Sequence, residues 1–580
     1  MKNTVSRLAA LVLALFMLLG VMSTGMAEES KFAERVPLDV VAFVGSAEAD
    51  GLRTDPVSKY IEEALNIDLY LTAVNEADWP GQLSAMLADN DLPDIFMLSD
   101  PTKQLPMLIK SNSALAVDPY IDEYAPNLTT TPAGQLLLAA ERLPASSPDG
   151  QMYMWGLCKG SWDDGTMPTC GHYLRWDLYA KAGYPEITGF DDSLLDAIEA
   201  MVALEPETAD GQKVYGVGAW FGNGQDWGEW VFTYGLAPQS GVNFVTTSGR
   251  VLAISTIDST PLENNQLTDP DSIFWTDVKF YNRANQRGLL DPDSFMMTSS
   301  VYEDNLKAGR YVFNIPGWMS GSSNIEYRKT DPNKMFISLP AIASDAEDRF
   351  GNMYKGERQY VINANTKYPE RCVALLDFVS SYEFARITFN GLSIEQGGRF
   401  WSMEDGKPVP TDEFLDATKN DDLQLSDGVD IYYHFAGFGM GTIDPATGTY
   451  VDLYQYSDKA NEQKLTDTMK DFIAHYGCTS QAEVYRTQTP VTDSMMFIAF
   501  GEPEGDISSY VNEINAYMGT NIFKAVAAES DEAFEQVRDQ IISDLQNNYH
   551  AEEVFEYFYN KALEQKDDVA TLVELSNALK

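Results

Sequence analysis

Two α/β lobes facing a crevice are predicted, on three observations. The chain has 580 residues, more than a single hydrophobic core organises. From Pro37 onward, short β-branched apolar runs alternate with helix-period segments, the pattern of a sheet with crossing helices. The stretch Leu306–Gly321, LKAGRYVFNIPGWMSG, reads as a helix end, a turn at Gly309, a strand over Tyr311–Ile315 and a stop at Pro316-Gly317. Gly309 suits the left-handed position just past a helix, and Tyr-Val-Phe-Asn-Ile suits a short buried strand. Trp318 is thereby delivered off a strand end, where open α/β sheets keep their ligand crevice. The plain alternative is a core tryptophan.

Pro37–Val44 reads as a buried strand. Asp55 caps the next helix with Pro56 in its first turn, and Val57, Tyr60, Ile61, Ala64 and Leu65 form one apolar face. Ile67–Leu71 alternates as a second strand. Asp78-Trp79-Pro80 opens a helix with Leu83, Met86 and Leu87 on one side. A turn at Asp91–Asp94 feeds a strand ending at Ser99-Asp100, and Pro101 starts a helix carrying Leu105, Leu108 and Ile109.

Pro144–Gly150 is turn-rich and marks the expected first crossover between lobes. Met152–Leu157 reads as a strand, His172–Gly183 as strand then helix, Ser193–Leu204 as a helix and Val214–Trp220 as a strand. The loop Phe221–Trp230 is dense in Gly and Trp. Ile273–Gln286 reads as a helix, Phe336–Pro340 as the returning strand, Tyr360–Asn363 as another strand and Pro369–Ser380 as a helix. Beyond Gly391 the periodicities weaken until two packing helices, one capped by Asp531 and one over Ala551–Leu563.

Lys2 and Arg7 precede the apolar run Leu8–Val21, and Gly25-Met26-Ala27 offers small residues for cleavage, the pattern of a secretory signal over residues 1–27. The run is short for a membrane span. The formal net charge of -47 repels nucleic acid and anionic lipid; it fits a neutral or cationic ligand, or an acidic exported surface with no ligand meaning. Cys158, Cys170, Cys372 and Cys478 are the only cysteines, and a Cys158–Cys170 bridge is one of three possible pairings for either residue. The four histidines show no zinc spacing. Asp163-Asp164 and Asp291-Pro-Asp293 are acidic, but the twelve-residue calcium loop is missing, so neither metal nor cofactor is expected. No GxSxG, HExxH or phosphate-cradle motif occurs. A glycoside hydrolase needs two flanking carboxylates, and 87 acidic residues make any such pair uninformative.

Four stretches in order carry a family likeness: DNDLPDIFML (89–98); GQMYMWGL (150–157) with HYLRWDLYAKAGYPEITGFDDSLLDAIEAM (172–201); YEDNLKAGRYVFNIPGW (302–318); and YVINANTKYPERCVALLDFVSSYE (360–383). The chain resembles the family 1 extracellular solute-binding proteins, the sugar-type receptors of ABC importers, and within them the long branch related to LplA-type lipoproteins. It departs from the pattern at Phe190, where a Trp is usual, and in lacking a lipid-bearing Cys after the signal.

The resemblance implies a two-lobe, periplasmic-binding-protein-like class II fold, with a hinge, an interlobe cleft and extra C-terminal helices. Lobe one would take residues 36–145 and 335–395, and lobe two 146–334 and 396–580. It implies a monomeric binding protein, not an enzyme, that hands a carbohydrate to a permease. A peptide, a lipid or a cationic solute is the alternative ligand, and an exported glycoside hydrolase the remaining one.

A sugar ring offers apolar C–H faces and a rim of hydroxyls, so its site needs flat aromatics beside carboxylates and amides. Ten tryptophans suggest an oligosaccharide. By position in the matched motifs the candidates are Trp318; Trp162 and Asp163 after the strand Met152–Leu157; Asp226, Trp227 and Trp230 after Val214–Trp220; Ser99 and Asp100; Ser46; and Glu357. The plainer alternatives are a helix cap for Ser99 and Asp100, and an exposed ion pair with Arg358 for Glu357. Arg175, Trp176 and Trp220 read as structural.

Overall fold

The computed structural model describes residues 32–43, 50–74, 79–89, 91–157, 170–223, 228–229, 231–256, 259–340, 347–348, 358–419, 427–429, 432–439, 441–488, 491–492, 500–501, 503 and 505–579. Nine strands matter here: β1 (Val36–Phe43), β2 (Gly51–Leu52), β3 (Ile67–Val74), β4 (Ile95–Leu98), β5 (Trp155–Leu157), β6 (Cys170–Arg175), β7 (Phe313–Pro316), β8 (Phe336–Ser338) and β9 (Arg358–Ile362).

The first sheet has the order β2-β3-β1-β4-β9-β5. β1 pairs in parallel with β3 and β4, and β9 runs antiparallel to both β4 and β5. Helices cover it as the apolar periodicity requires. In Pro56–Leu65 the Asp55 carboxylate accepts from the Ser58 amide at 2.9 Å, and Val57, Ile61 and Leu65 are buried. Trp79, fully buried, donates its indole N–H to the Met97 carbonyl at 2.7 Å and ties the helix Trp79–Asp89 to β4.

The second sheet has the order β8-β6-β7, antiparallel throughout. Residues 214–220, expected as a full strand, join its flank only by single parallel bridges, Tyr215 to Tyr311 and Val217 to Leu290. Gly216 and Gly218 explain the reduced pairing: a Cβ on Gly218 would lie 2.6 Å from the Tyr311 ring. The aromatic packing here therefore comes at the expense of a regular ladder.

Packing divides the chain into two main cores. The first takes β1, β3, β4, β5 and β9, the helix Pro369–Val379, Tyr432 and Phe435, and finally Val569 and Leu572. The second takes β6, β7, β8, the helix Ile273–Gln286 and the helices Asp506–Val526, Asp531–Asn548 and Ala551–Glu564. The crossovers fall later than the turn at Pro144–Gly150. Met152, Met154 and Trp155 pack in the first core because β5 pairs with β9. Phe336–Ser338, expected on the first lobe, packs in the second because β8 pairs with β6. The helix Asp531–Asn548 begins at Asp531, but Ser530 is its cap, accepting from the Ala533 amide at 3.1 Å. No helix among the described residues is long and apolar enough to cross a membrane. The signal segment and Cys158 lie outside the described residues.

Candidate functional site

Strand direction selects one edge of each sheet. In the first, β1, β3, β4 and β5 end on the same edge and β9 begins there. In the second, β7 and β8 end on the edge where β6 begins. The chain leaves β5 at Leu157 and enters β6 at Cys170; it leaves β8 at Ser338 and enters β9 at Arg358. Both passages connect these two edges. A paired connection of this kind makes a hinge, and the carboxyl ends of strands are where open α/β sheets bind ligands.

Trp318 stands at this edge. β7 does not stop in a Pro-Gly turn as expected. It runs directly into the helix Gly317–Arg328, with Pro316 at the N-cap and Trp318 in the first turn. Pro316 lacks the N–H a longer ladder needs and its φ suits a helix entry. Met319 and Ser320 are buried, whereas Trp318 is 42% exposed. Asn314 fixes this junction: its side-chain oxygen accepts from the Tyr302 hydroxyl at 2.7 Å, and its amide donates to the Pro316 carbonyl at 2.7 Å and the Ser320 hydroxyl at 2.8 Å. The indole is thus carried on a junction that the Asn314 side chain pins at Tyr302, Pro316 and Ser320.

Ser99 and Asp100 also reach the edge, off β4, but their polar atoms hold the helix Pro101–Lys110. Gln104 receives both their amides at 3.0 Å and donates to the Ser99 hydroxyl at 2.9 Å. The Asp100 carboxylate accepts from the Lys103 amide at 3.3 Å and pairs with the Lys103 ammonium at 3.4 Å. The cap reading describes these contacts. Ser46, Trp162, Asp163, Asp226, Trp227, Trp230 and Glu357 lie outside the described residues. In sequence, Ser46 follows β1, Trp162 and Asp163 follow β5, and Glu357 precedes β9, all strand ends of the first sheet's edge.

Met296 was not singled out from sequence and is 85% exposed. It follows the short turn Pro292–Phe295, whose cap Asp291 is buried, pairs with Arg310 at 3.1 Å and accepts from the Tyr311 hydroxyl at 2.9 Å. Burial and the Asp291 charge push the Tyr311 pKa up, so the phenol stays protonated and donates. Asp291, half of the expected acidic cluster, is thus a structural cap. Asn314 was missed too, although an Asn inside Tyr-Val-Phe-Asn-Ile is a legible signal: a buried amide needs partners.

The expected structural residues are packed. Trp220 and Trp176 are buried. Burial works against the Arg175 charge, but Asp177 at 2.8 Å and Glu205 at 3.2 Å more than offset it, and its pKa is raised. Beyond the far end of β6, a cavity of about 270 Å³ lies between Trp176, Asp331 and Asp467. Its floor is engaged: Asp471 accepts from the Trp176 indole at 2.8 Å and from the Tyr184 hydroxyl at 2.7 Å. It sits at the end opposite Trp318. No group of three or more His, Cys, Asp or Glu placed to hold a metal occurs among the described residues.

Comparison with known proteins agrees with this topology. No curated protein matches the chain. Among solved structures, the alginate-binding protein AlgQ2 without calcium superposes with TM-score 0.58 at 17% identity, covering 92% of this chain and 99% of that one. An HMO-binding solute-binding protein from Bifidobacterium longum infantis gives 0.59 at 13% identity over the same shares. The N-glycan transport protein NgtS from Streptococcus pneumoniae, in complex with Man1GlcNAc, gives 0.53 at 13% identity, again over 92% and 99%. At these identities the likeness shows the two-lobe, periplasmic-binding-protein-like fold. Residues 52–385 match the family described as bacterial extracellular solute-binding protein, and the chain belongs to that family.

Proposed function

We propose that this protein is the exported receptor of an ABC importer and that it captures a carbohydrate, an oligosaccharide, between its two lobes and releases it intact to the permease. The observation that carries this is Trp318: a half-exposed indole on a strand-to-helix junction pinned by Asn314, at the edge through which the sheets are twice connected. An indole face matches the apolar face of a sugar ring. The ligands named for structural neighbours, alginate, HMO and Man1GlcNAc, support a saccharide over a peptide or a cation. Residues 1–27 act as the export signal. The lobes follow the two packed cores, and the receptor works as a monomer. The remaining ligand groups are assigned to the segments bearing Ser46, Trp162, Asp163 and Glu357, which adjoin strands of the first sheet in sequence, and to the segment bearing Asp226, Trp227 and Trp230.

A thermal-shift screen over glycans, peptides and cations, followed by calorimetry, tests the reading. An oligosaccharide is expected to raise the melting temperature and to be recovered uncleaved. Trp318→Ala is expected to weaken its binding by about 2 kcal/mol, roughly thirtyfold, without lowering the melting temperature of the free protein. Stabilisation by peptides or polyamines alone, or release of shorter sugars, would discard it.

A further inference from the structure

We infer that Met296 is a second apolar contact for the ligand, taking the C–H face of a sugar ring further along the oligosaccharide than the ring on Trp318. This rests on the carbohydrate-binding reading above.

The register places it. Tyr215 pairs in parallel with Tyr311, and Val217 with Leu290. Carried forward, residues 219–221 lie level with the end of β7, and the 290s segment stands one strand further out. Adjacent strands are about 4.8 Å apart, so this segment lies roughly 10 Å across the edge from β7. One ring stacked on Trp318 does not span that separation; a chain of rings does.

The loop that bears Met296 is bolted down on both sides. The Asp291 amide donates to the Val217 carbonyl at 2.9 Å, and the Val217 amide to the Leu289 carbonyl at 3.0 Å. The Ala219 amide donates to the Ser294 hydroxyl at 3.1 Å. The Gly222 amide donates to the Met297 carbonyl at 3.0 Å. Gly222 permits this approach, since a Cβ there would lie 2.5 Å from the Met296 carbonyl oxygen. Met297 turns inward, its sulfur 3.5 Å from the Tyr311 hydroxyl. The neighbouring side chain is buried and the backbone is held, so the outward Met296 side chain is presented without freedom for the loop to hide it. A held backbone has little conformational entropy left to lose on binding. A thioether on three rotatable bonds adapts to ring faces of different shape, which suits a contact secondary to the flat indole.

Peroxide footprinting read by mass spectrometry tests this, because oxidation follows exposure. Met107 and Met403, 56% and 42% exposed, lie on other elements and serve as internal controls. The probe is whichever of alginate oligomers, human milk oligosaccharides and Man1GlcNAc gives the largest thermal shift. At saturation it is expected to slow Met296 oxidation at least about fivefold and to leave Met107 and Met403 unchanged. Met296→Ala is expected to weaken the oligosaccharide about five- to tenfold, to leave a single-ring ligand unaffected and to melt as the wild type does. If Met296 stays unprotected while Trp318→Ala loses affinity, the Met296 contact is wrong and the carbohydrate reading stands. If none of the probes shifts the melting temperature, the carbohydrate reading fails and the Met296 contact with it.

Discussion

Asn314 shows how one buried amide fixes a binding surface. It spans Tyr302, Pro316 and Ser320 with three hydrogen bonds in a site that is 1% exposed. Asn314→Leu keeps the volume and strands the three partners. Each orphaned buried group costs about 1–3 kcal/mol, so a loss of roughly 3 kcal/mol is expected in urea unfolding. Because the junction would relax, ligand affinity should fall as well. Unchanged affinity in a folded Asn314→Leu protein would separate Trp318 from this support. His172 and Asp277 make a second buried pair, both held to one peptide. The His172 Nε2–H donates to the Gly235 carbonyl at 2.9 Å, and the Asp277 carboxyl accepts from the Leu236 amide at 3.2 Å. Burial pushes the His172 pKa down to about 3 and the Asp277 pKa well up, so it favours the neutral form of each in the folded protein. The unfolded chain protonates His172 below about 6.5 and ionises Asp277 above about 3.9. Stability from the neutral histidine is therefore lost as pH falls from about 6.5 towards 3, at about 1.4 kcal/mol per pH unit. Stability from the protonated acid is lost as pH rises above about 3.9. Between those limits the two slopes oppose. His172→Gln should remove the first alone, so the stability of the variant should climb relative to wild type as pH drops from 6.5 to 4 in urea titrations.

At the scale of elements, what was readable depended on whether the deciding interaction was local. The helix Pro56–Leu65 was legible because its cap, Asp55, and its apolar face are both local. Gly309, at φ +83, was legible because a left-handed residue after a helix asks for glycine. Pro316-Gly317 was misread as a stop. The same dipeptide serves a helix entry, and what selects that entry is Asn314 reaching to Ser320, a contact invisible to a turn rule. Residues 214–220 read as a strand on composition, yet two glycines give the space to the Tyr311 ring and only bridges form. The late helices Asp506–Val526 and Lys566–Leu579 went unread because their apolar faces are interrupted and part of what they pack on, the helices Ile273–Gln286 and Pro132–Glu141, lies hundreds of residues away. Of the site, the edge and Trp318 were readable through strand order and motif. Met296 was not, since nothing in Phe-Met-Met-Thr says which methionine turns outward. Gly222 decides that, and it carries its own test. Gly222→Val should force the turn away from the Met296 backbone and cost about 1–3 kcal/mol. A crystal structure of the variant should then show the Met296 loop displaced from residues 219–222; an unmoved loop would mean the close approach is not what holds it.

For the whole molecule, the decisive feature is how many times the chain passes between its cores. Two passages leave the strand edges, a third lies between Phe435 of the first core and Phe472 of the second, and a fourth comes at the C-terminus. The helix Ala551–Glu564 buries Val554 and Phe558 in the second core, and the helix Lys566–Leu579 sets Val569 and Leu572 into the first. Only Gln565 separates them, its amide donating to the Ala562 carbonyl at 3.3 Å. A hinge closure therefore has to change the angle at Gln565 or undock one of the two helices. Docking of the last helix biases the lobes towards whichever opening that joint prefers, and the ligand shifts the balance only by its differential affinity. A protein ending at Glu564 loses the burial of Val569 and Leu572, worth about 3–5 kcal/mol at most by area, and with it the joint. The first core should then unfold at a lower temperature than the second, splitting one calorimetric transition into two. Small-angle scattering of the ligand-free protein should broaden towards more open shapes, with affinity shifted accordingly. If the shortened protein melts in one step at the original temperature and scatters as the full chain does, the last helix is a passenger and the other passages set the opening.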